Sequence, residues 1–267
     1  MAFTEFCCRS GGSNLNAGTR TGNSTEPGTA ADFTYATGSW VSATNTFTAA
    51  ATIDGSIAAG DFVSIYDGSP ALTGYVARVA SVGSTTSVTS TTAFSGTKPG
   101  DIAGTATARI GGAWKGPNAA ENFPFGFVTA ALTNTSIERP RVNFKNDAQY
   151  DVTAAISHAA AGPTWWSGYT SSYGDGGRAT IDGGTTGASY ALYTSNNVAQ
   201  QYHSDLIFNH NGSTGSASGV VVGVSGAGSG VFERCVFANM VGSGWVKSGS
   251  AAPGYQMIDC EAYGNNT

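Results

Sequence analysis

The chain has 267 residues, of which only 11% are charged, and its formal net charge is -5 at pH 7. This acidic balance, without clustered Lys and Arg, argues against a nucleic-acid partner because phosphate binding needs such clusters. The 38 glycines have no collagen-like period and accompany many strand-forming residues. They predict many short strands and tight turns, with a surface made mostly of Ser, Thr, Asn and Gly.

Residues 1–33 predict one short strand, from Phe3 to Cys8, followed by a flexible arm rich in Gly, Asn, Ser and Thr. The arm is interpreted either as a frayed terminus or as a segment that orders on a partner. A basic start followed by an apolar segment is missing, and no run of 18 apolar residues occurs. We therefore expect synthesis in a host cytoplasm without Sec secretion, no membrane insertion, and Cys7 and Cys8 as thiols.

Residues 34–109 alternate between apolar and polar side chains, which predicts a small all-β barrel or sandwich. Asp61–Tyr66 and Tyr75–Val82 are expected to form a hairpin across the turn residues after Tyr66. The second strand would place Val76, Ala80 and Val82 on one face, with Arg78 among them. Nothing in this region has catalytic spacing, so it is interpreted as a folding or attachment module.

Residues 110–138 combine aromatic side chains with turn formers, and they predict a connector that packs over the end of the next domain. One helical turn around 128–132 could cap that end. Such a cap is expected because open ends of stacked coils expose unpaired backbone and apolar core.

Residues 139–267 contain two strand-like phrases that recur in step and predict a coil stacked on copies of itself. The first series has the apolar centres Leu192, Val221 and Val246, and the second has Leu206, Cys235 and Cys260, both spaced 29 and then 25 residues. In the second series, Phe208, Phe237 and Ala262 would follow two residues later in the same interior stack. Buried Cys235 and Cys260 are interpreted as thiols, with a disulfide as the alternative.

The segment Pro163–Gly184, with Gly174-Asp-Gly-Gly177 and Ala179-Thr-Ile-Asp-Gly-Gly184, resembles the opening coils of right-handed parallel β-helix proteins of the pectate-lyase-like class. Asp259–Asn266 is similar to a later coil of that class. The N-terminal half, including Ser10–Gly18, resembles the leading region of β-helix proteins encoded by tailed bacteriophages. These resemblances imply an all-β fold whose C-terminal part is a right-handed parallel β-helix.

The candidate catalytic residues are Asp205, Arg234 and Asp259, which would align one position outside the interior stack. In a polysaccharide lyase, carboxylates hold Ca²⁺ and an arginine acts as the base, so calcium is expected only under that alternative. The favoured interpretation is structural, with Arg234 between two aspartates on an exposed ladder. No other cofactor is expected, because none of the three histidines has metal-ligand spacing to another His or Cys.

The candidate glycan-binding residues are Trp165, Trp166, Tyr169 and Tyr173, since aromatic faces suit the C–H faces of sugars. Packing in the core or the cap is the alternative for all four, and it is favoured.

The leading functional hypothesis is a virion structural protein, a phage tail fibre or tailspike anchored through residues 1–135. Its β-helix would present a surface to host cell-surface polysaccharide, with a homotrimer and other virion proteins as partners. A polysaccharide lyase or glycoside hydrolase is one alternative, and a self-assembling β-helical filament is another. Because the sequence stops directly after a coil phrase, we also expect either a longer natural chain or a partner over that end.

Overall fold

The computed structural model describes residues 4–13, 16–17, 19, 26–67, 74–91, 95–96, 99–113, 140–151, 156–158, 164–183, 193–195, 200–210, 219–222, 229–247 and 254–265. All regular structure within these ranges is β-strand. No helix of the described residues is long and apolar enough to span a bilayer. The chain forms two compact units, Glu5–Lys115, here called the barrel unit, and Met1–Thr4 with Gly116–Thr267, here called the stacked unit.

The barrel unit is a closed antiparallel barrel. Its strands are paired in the order β4-β8-β2-β3-β6-β5, β4 and β5 pair to close the ring, and β7 lies beside β5. Closure leaves the six ring strands without an open edge. The strands are β1 (Thr4–Cys8), whose last four residues belong to this unit, β2 (Phe33–Val41), β3 (Thr46–Thr48), β4 (Phe62–Asp67), β5 (Gly74–Ser84), β6 (Ser87–Ser90), β7 (Ser95–Gly96) and β8 (Ile102–Ile110).

The predicted hairpin is confirmed, because β4 and β5 pair antiparallel from Phe62↔Arg78 to Tyr66↔Gly74. The predicted alternation along β5 is wrong beyond Val79. A register shift between Val79 and Ser81 adds a residue to this strand, so Val82 is exposed rather than aligned with buried Val76. Arg78 lies with its guanidinium carbon 4.6 Å from the centre of the Phe62 ring.

The described part of the predicted arm packs on the barrel. Asn16 is fully buried, and its side-chain amide donates hydrogen bonds to the carbonyl oxygens of Thr29 at 3.0 Å and Ala113 at 2.8 Å. Arg109 of β8 donates to the side chains of Ser13 and Asn16. These residues are therefore fixed by specific polar contacts. The predicted connector, including its helical turn at 128–132, lies outside the described residues from 114 onward.

The stacked unit contains three parallel sheets, and the chain contributes one strand to each sheet in turn. The first sheet has the order β9-β12-β15-β18-β21, the second β10-β13-β16-β19-β22 and the third β11-β14-β17-β20. The strands are β9 (Pro140–Lys145), β10 (Tyr150–Asp151), β11 (Ile156–His158), β12 (Thr164–Tyr169), β13 (Ala179–Asp182), β14 (Tyr193–Ser195), β15 (Gln200–Ser204), β16 (Leu206–Asn209), β17 (Val220–Val222), β18 (Ser229–Glu233), β19 (Val236–Ala238), β20 (Trp245–Lys247), β21 (Tyr255–Ile258) and β22 (Glu261–Tyr263). We call each passage through the three sheets a rung.

The second repeat series has the predicted register. Phe208 pairs with Phe237, and Phe237 pairs with Ala262. The Phe208 and Phe237 rings are stacked, with centroids 5.7 Å apart. Phe208 and Phe237 therefore form a buried column contributed by successive rungs, whereas Ala262 on β22 keeps the register but is exposed instead of interior as predicted.

The first repeat series is confirmed in its later half only. Val221 pairs with Val246 as predicted, but its partner on the preceding rung is Thr194. Leu192 lies outside the described residues, two positions before that partner. The loops on either side of β17 therefore change length between rungs, and the two series do not stay in step.

All four cysteines are thiols, in agreement with the favoured interpretation. Cys7 and Cys8 are both fully buried, and so is Cys235, whereas Cys260 is partly exposed.

Candidate functional site

Three corners between the first and second sheets hold the predicted catalytic residues. Asp205, Arg234 and Asp259 each follow a strand of the first sheet and have left-handed backbone, with φ of 57°, 52° and 51°. The Asp205 N–H donates to the Glu233 carbonyl at 3.1 Å, and the Arg234 N–H donates to the Ile258 carbonyl at 2.8 Å. The corners are therefore stacked on successive rungs, as the repeat spacing predicts.

A close glycine contact lies beneath these corners. A Cβ atom on Gly168 would lie 1.9 Å from the Asp205 carbonyl oxygen and 2.6 Å from that of Gly177. Because both obstacles are backbone atoms, a side chain at this position requires the rung to move. The neighbouring rung thus holds the Asp205 corner in place.

Arg234 forms a bidentate ion pair with Asp205. Its Nε lies 2.7 Å from Oδ1 of Asp205, and its Nη2 lies 2.7 Å from Oδ2. The Asp205 side chain is 2% exposed, while that of Arg234 is 40% exposed. The hydrogen bonds to Asp205, more than any other contact, hold the pKa of Arg234 above its usual value.

Glu233 joins this pair to an aromatic residue. One carboxylate oxygen accepts a hydrogen bond from Nη1 of Arg234, and the other accepts one from the Tyr202 hydroxyl. Partial burial, together with this bond to Glu233, raises the pKa of Tyr202 to about 12. The four residues form one network, here called the corner cluster: Tyr202, Asp205, Glu233 and Arg234.

The predicted pairing of alternating charges among Asp205, Arg234 and Asp259 occurs only between Asp205 and Arg234. Asp259 is exposed, and within the described ranges no ion pair joins it to Arg234. The second partner of Arg234 is Glu233, its neighbour in sequence. Arg234 lies between the two aspartates in the stack, as predicted. The predicted exposed ladder of alternating charges is wrong, because Asp205 is buried and Arg234 is paired with Asp205 and Glu233 instead of with both aspartates.

The four candidate glycan-binding aromatics do not form one platform. Trp166 and Tyr169 are buried, with Trp166 lying 5.3 Å from Phe144 and 5.4 Å from His203 between ring centroids. Trp165, on β12, and Tyr173, in the loop that follows β12, are partly exposed. Tyr173 packs edge-on against Tyr169, with centroids 4.9 Å apart.

Trp165 is the candidate aromatic that adjoins the corner cluster. It pairs in register with Tyr202 of the next rung, and their ring centroids lie 5.0 Å apart with planes inclined by 33°. Both side chains are partly exposed, whereas the residues that follow them, Trp166 and His203, are buried. Two aromatic rings therefore lie side by side on the outer face, next to a carboxylate and a guanidinium.

The arrangement suits binding better than proton transfer. An arginine that acts as a lyase base has to lose a proton, but both Asp205 and Glu233 stabilise the charged form of Arg234. Within the described part of the chain, no group of three or more His, Cys, Asp or Glu side chains could hold a metal ion. The corner cluster instead offers fixed hydrogen-bonding groups beside apolar rings.

Sequence reasoning missed Tyr202. The 29-residue interval relates Tyr202 only to Val231 on the next rung, and it points to neither Glu233 nor Trp165, so repeat spacing carried no signal for this residue. The interval to the preceding rung is 37 residues, and this longer interval places Tyr202 beside Trp165.

Comparison with known protein families, with curated proteins and with solved structures found no match for this chain.

Proposed function

We propose that the stacked unit is a right-handed parallel β-helix of the pectate-lyase-like class, and that the chain is a structural protein of a tailed phage, of tail-fibre or tailspike type. The observation that carries the proposal is that successive strands belong to the first, second and third parallel sheet in turn, rung after rung. Such a coil extends by adding rungs and gives a rigid stem.

The ligand we propose is a cell-surface polysaccharide, bound at Trp165 and the corner cluster. Aromatic rings offer apolar area to the C–H faces of sugars, and Glu233 and Arg234 offer an acceptor and a donor to hydroxyl groups. The ion pairs orient these groups before a ligand arrives, which lowers the entropy lost on binding. The column of Trp165 and Tyr202 continues through Val231 and Gln256 on the following rungs. A face that extends along several rungs suits a polymer better than a small molecule.

Glycan binding is tested with an array of bacterial surface polysaccharides, followed by calorimetry on the best ligand. Trp165→Ala is expected to weaken binding about tenfold, since an aromatic contact of about 1 to 1.5 kcal/mol is lost. Tyr263→Ala is the matched control, because Tyr263 is an exposed aromatic residue on β22 of the second sheet and is not a member of the corner cluster. Equal affinities for Trp165→Ala and the unaltered chain would remove this surface as the site.

The virion proposal is tested separately, on the phage that encodes the chain. Antibodies raised against the 267-residue protein are expected to decorate tail appendages in immunogold electron microscopy. Light scattering of the purified protein is expected to give a trimer. Particles without label, together with a stable monomer in solution, would contradict the proposal even if a glycan binds.

A further inference from the structure

Cys235 and Cys260 occupy equivalent positions on neighbouring rungs. The residues that follow them, Val236 and Glu261, are register partners in the second sheet. The Glu261 N–H also donates to the Cys235 carbonyl at 2.9 Å. Adjacent strands lie about 4.8 Å apart. That separation falls within the range of about 4.4 to 6.8 Å between Cα atoms that a disulfide spans.

The two thiols lie in different surroundings. Cys235 is fully buried, with its sulfur 3.5 Å from the His203 carbonyl oxygen. Cys260 is partly exposed, and its sulfur lies 3.2 Å from the carbonyl oxygen of Phe232 on the preceding rung. The Cys260 side chain therefore extends toward the rung that carries Cys235. One thiol is accessible to a reagent, and the other lies behind it.

The electrostatic surroundings favour the same division of roles. A hydrogen bond from the Cys235 side chain, assisted by the positive charge of Arg178, lowers the pKa of Cys260 to about 6. Burial raises the pKa of Cys235. Arg178 is held near this edge by its ion pair with Glu261, at 2.8 Å. Because the thiolate is the reactive form, Cys260 is the nucleophile of the pair at neutral pH.

We propose that Cys260 is a site of thiol–disulfide exchange with low-molecular-weight disulfides, and that Cys235 is its resolving partner. The Cys260 thiolate attacks one sulfur of the external disulfide, forms a mixed disulfide and releases one thiolate. The Cys235 thiol then loses its proton to solvent and attacks the Cys260 sulfur, which releases the second thiolate. The two cysteines are oxidised to one disulfide, and the external disulfide is reduced to two thiols.

The bridge would join two successive rungs covalently and so limit their separation when the chain unfolds. Its formation depends on an oxidising partner, so the two rungs would be cross-linked in an oxidising environment and not cross-linked in a reducing one. Cys7 and Cys8 provide an internal comparison, since both are fully buried and burial raises the pKa of Cys8.

The experiment treats the folded 267-residue chain with oxidised glutathione at about pH 7.4 and follows its intact mass and peptide map. The unaltered protein is expected to pass through one glutathione adduct and finish with a Cys235–Cys260 bridge. Cys235→Ala is expected to stop at the adduct on Cys260. Cys260→Ser is expected to react at least roughly tenfold more slowly, because the thiols that remain, Cys7, Cys8 and Cys235, are fully buried.

Circular dichroism checks that each variant is folded, and Cys235→Ser replaces Cys235→Ala if the smaller side chain destabilises the core. A stable adduct in the unaltered protein, at the level seen in Cys235→Ala, would overturn the resolving role of Cys235. Equal reaction rates for the unaltered protein and Cys260→Ser would overturn the nucleophilic role of Cys260. Neither outcome depends on glycan binding or on a virion.

Discussion

The barrel unit and the stacked unit are both built from short strands, but they pair those strands in different ways. In the barrel unit, antiparallel neighbours close a single ring around one core. In the stacked unit, parallel neighbours come from successive rungs, and side chains such as Phe208 and Phe237 form columns. The two units should therefore differ in how far the effect of a substitution extends. A residue in the barrel unit contacts one shared core, whereas a residue in the stacked unit contacts the equivalent residues on the rungs before and after it.

The largest expected effect comes from truncating one large buried side chain in each unit. Trp166→Ala should lower the free energy of unfolding by about 3 to 5 kcal/mol, because a fully buried ring is replaced by a cavity. Trp40→Ala should cost a similar amount in the barrel unit. Hydrogen exchange is expected to show lost protection in β9 and β15, which flank Trp166, and in β3 and β8, which flank Trp40. Unchanged exchange in β15 of Trp166→Ala would contradict the column description.

The second effect tests how closely the rungs approach. Gly168→Ala should destabilise the stacked unit by about 3 kcal/mol, since the new Cβ meets the backbone of Asp205 and Gly177. The matched variant in the barrel unit is Gly55→Ala, where no atom lies within 4 Å of the new Cβ. That variant should change stability by less than about 0.5 kcal/mol. Urea denaturation followed by circular dichroism measures both, and equal midpoints would refute the close approach.

The third effect compares a buried carboxylate with an exposed one. Asp205→Asn should cost about 2 kcal/mol, because it removes one of the two carboxylate partners of Arg234 while keeping a residue that tolerates left-handed backbone. The cost stays moderate because the Arg234 side chain is 40% exposed and water replaces the lost partner.

Asp101→Asn is the barrel counterpart of that change. Its exposed carboxylate accepts hydrogen bonds from the Ser42 backbone at 2.7 Å and hydroxyl at 2.8 Å. We expect a loss below about 1 kcal/mol, measured by the same denaturation. A larger loss for Asp101→Asn than for Asp205→Asn would reverse the comparison.

The smallest effect is a difference in pH dependence. All three histidines follow residue 139, and residues 5–115 contain none. Burial lowers the pKa of His210, with Asp182 opposing the shift. The neutral form is therefore preferred in the folded protein. Its contribution to stability is complete above the unfolded pKa, about 6.5, and is lost as pH falls toward the folded pKa.

The free energy of unfolding is measured at about pH 7.5, 6.5 and 5.5. Uptake of one proton on unfolding changes this free energy by at most about 1.4 kcal/mol per pH unit. The control variant His210→Gln should have a shallower slope than the unaltered protein. Identical slopes for the two proteins would show that His210 does not bind a proton on unfolding in this range.

The interior register of the second sheet was predictable because apolar residues recur where side chains must face inward. The register of Phe208, Phe237 and Ala262 follows from spacing alone, although Ala262 is exposed. The partner of Val221 did not follow, since loops outside the sheets change length without an energetic penalty in the core. Likewise, a local register shift in β5 leaves no clear signal in its sequence.

The candidate site was predictable as a set of positions and not as a set of contacts. The interval of 29 residues correctly brings Asp205 and Arg234 together. It does not show that the guanidinium turns toward Glu233 and leaves Asp259 apart, because a long side chain chooses among neighbours by rotamer and by local charge. Tyr202 enters the network through its hydroxyl, a contact that repeat spacing does not specify.

At the left-handed corners of Asp205, Arg234 and Asp259, the conformation of the backbone does not by itself determine which side chain is present. What the backbone requires there is a residue that accepts positive φ, and Asn or Gly meets that requirement at least as well as a charged residue does. This freedom applies to the partly exposed Arg234 and the exposed Asp259, where another residue that accepts positive φ keeps the path of the chain, whereas the buried Asp205 is fixed by its ion pair. Arg234 and Asp259, spaced one rung apart, are therefore positions where a substitution changes the chemistry of the surface and leaves the backbone as it is.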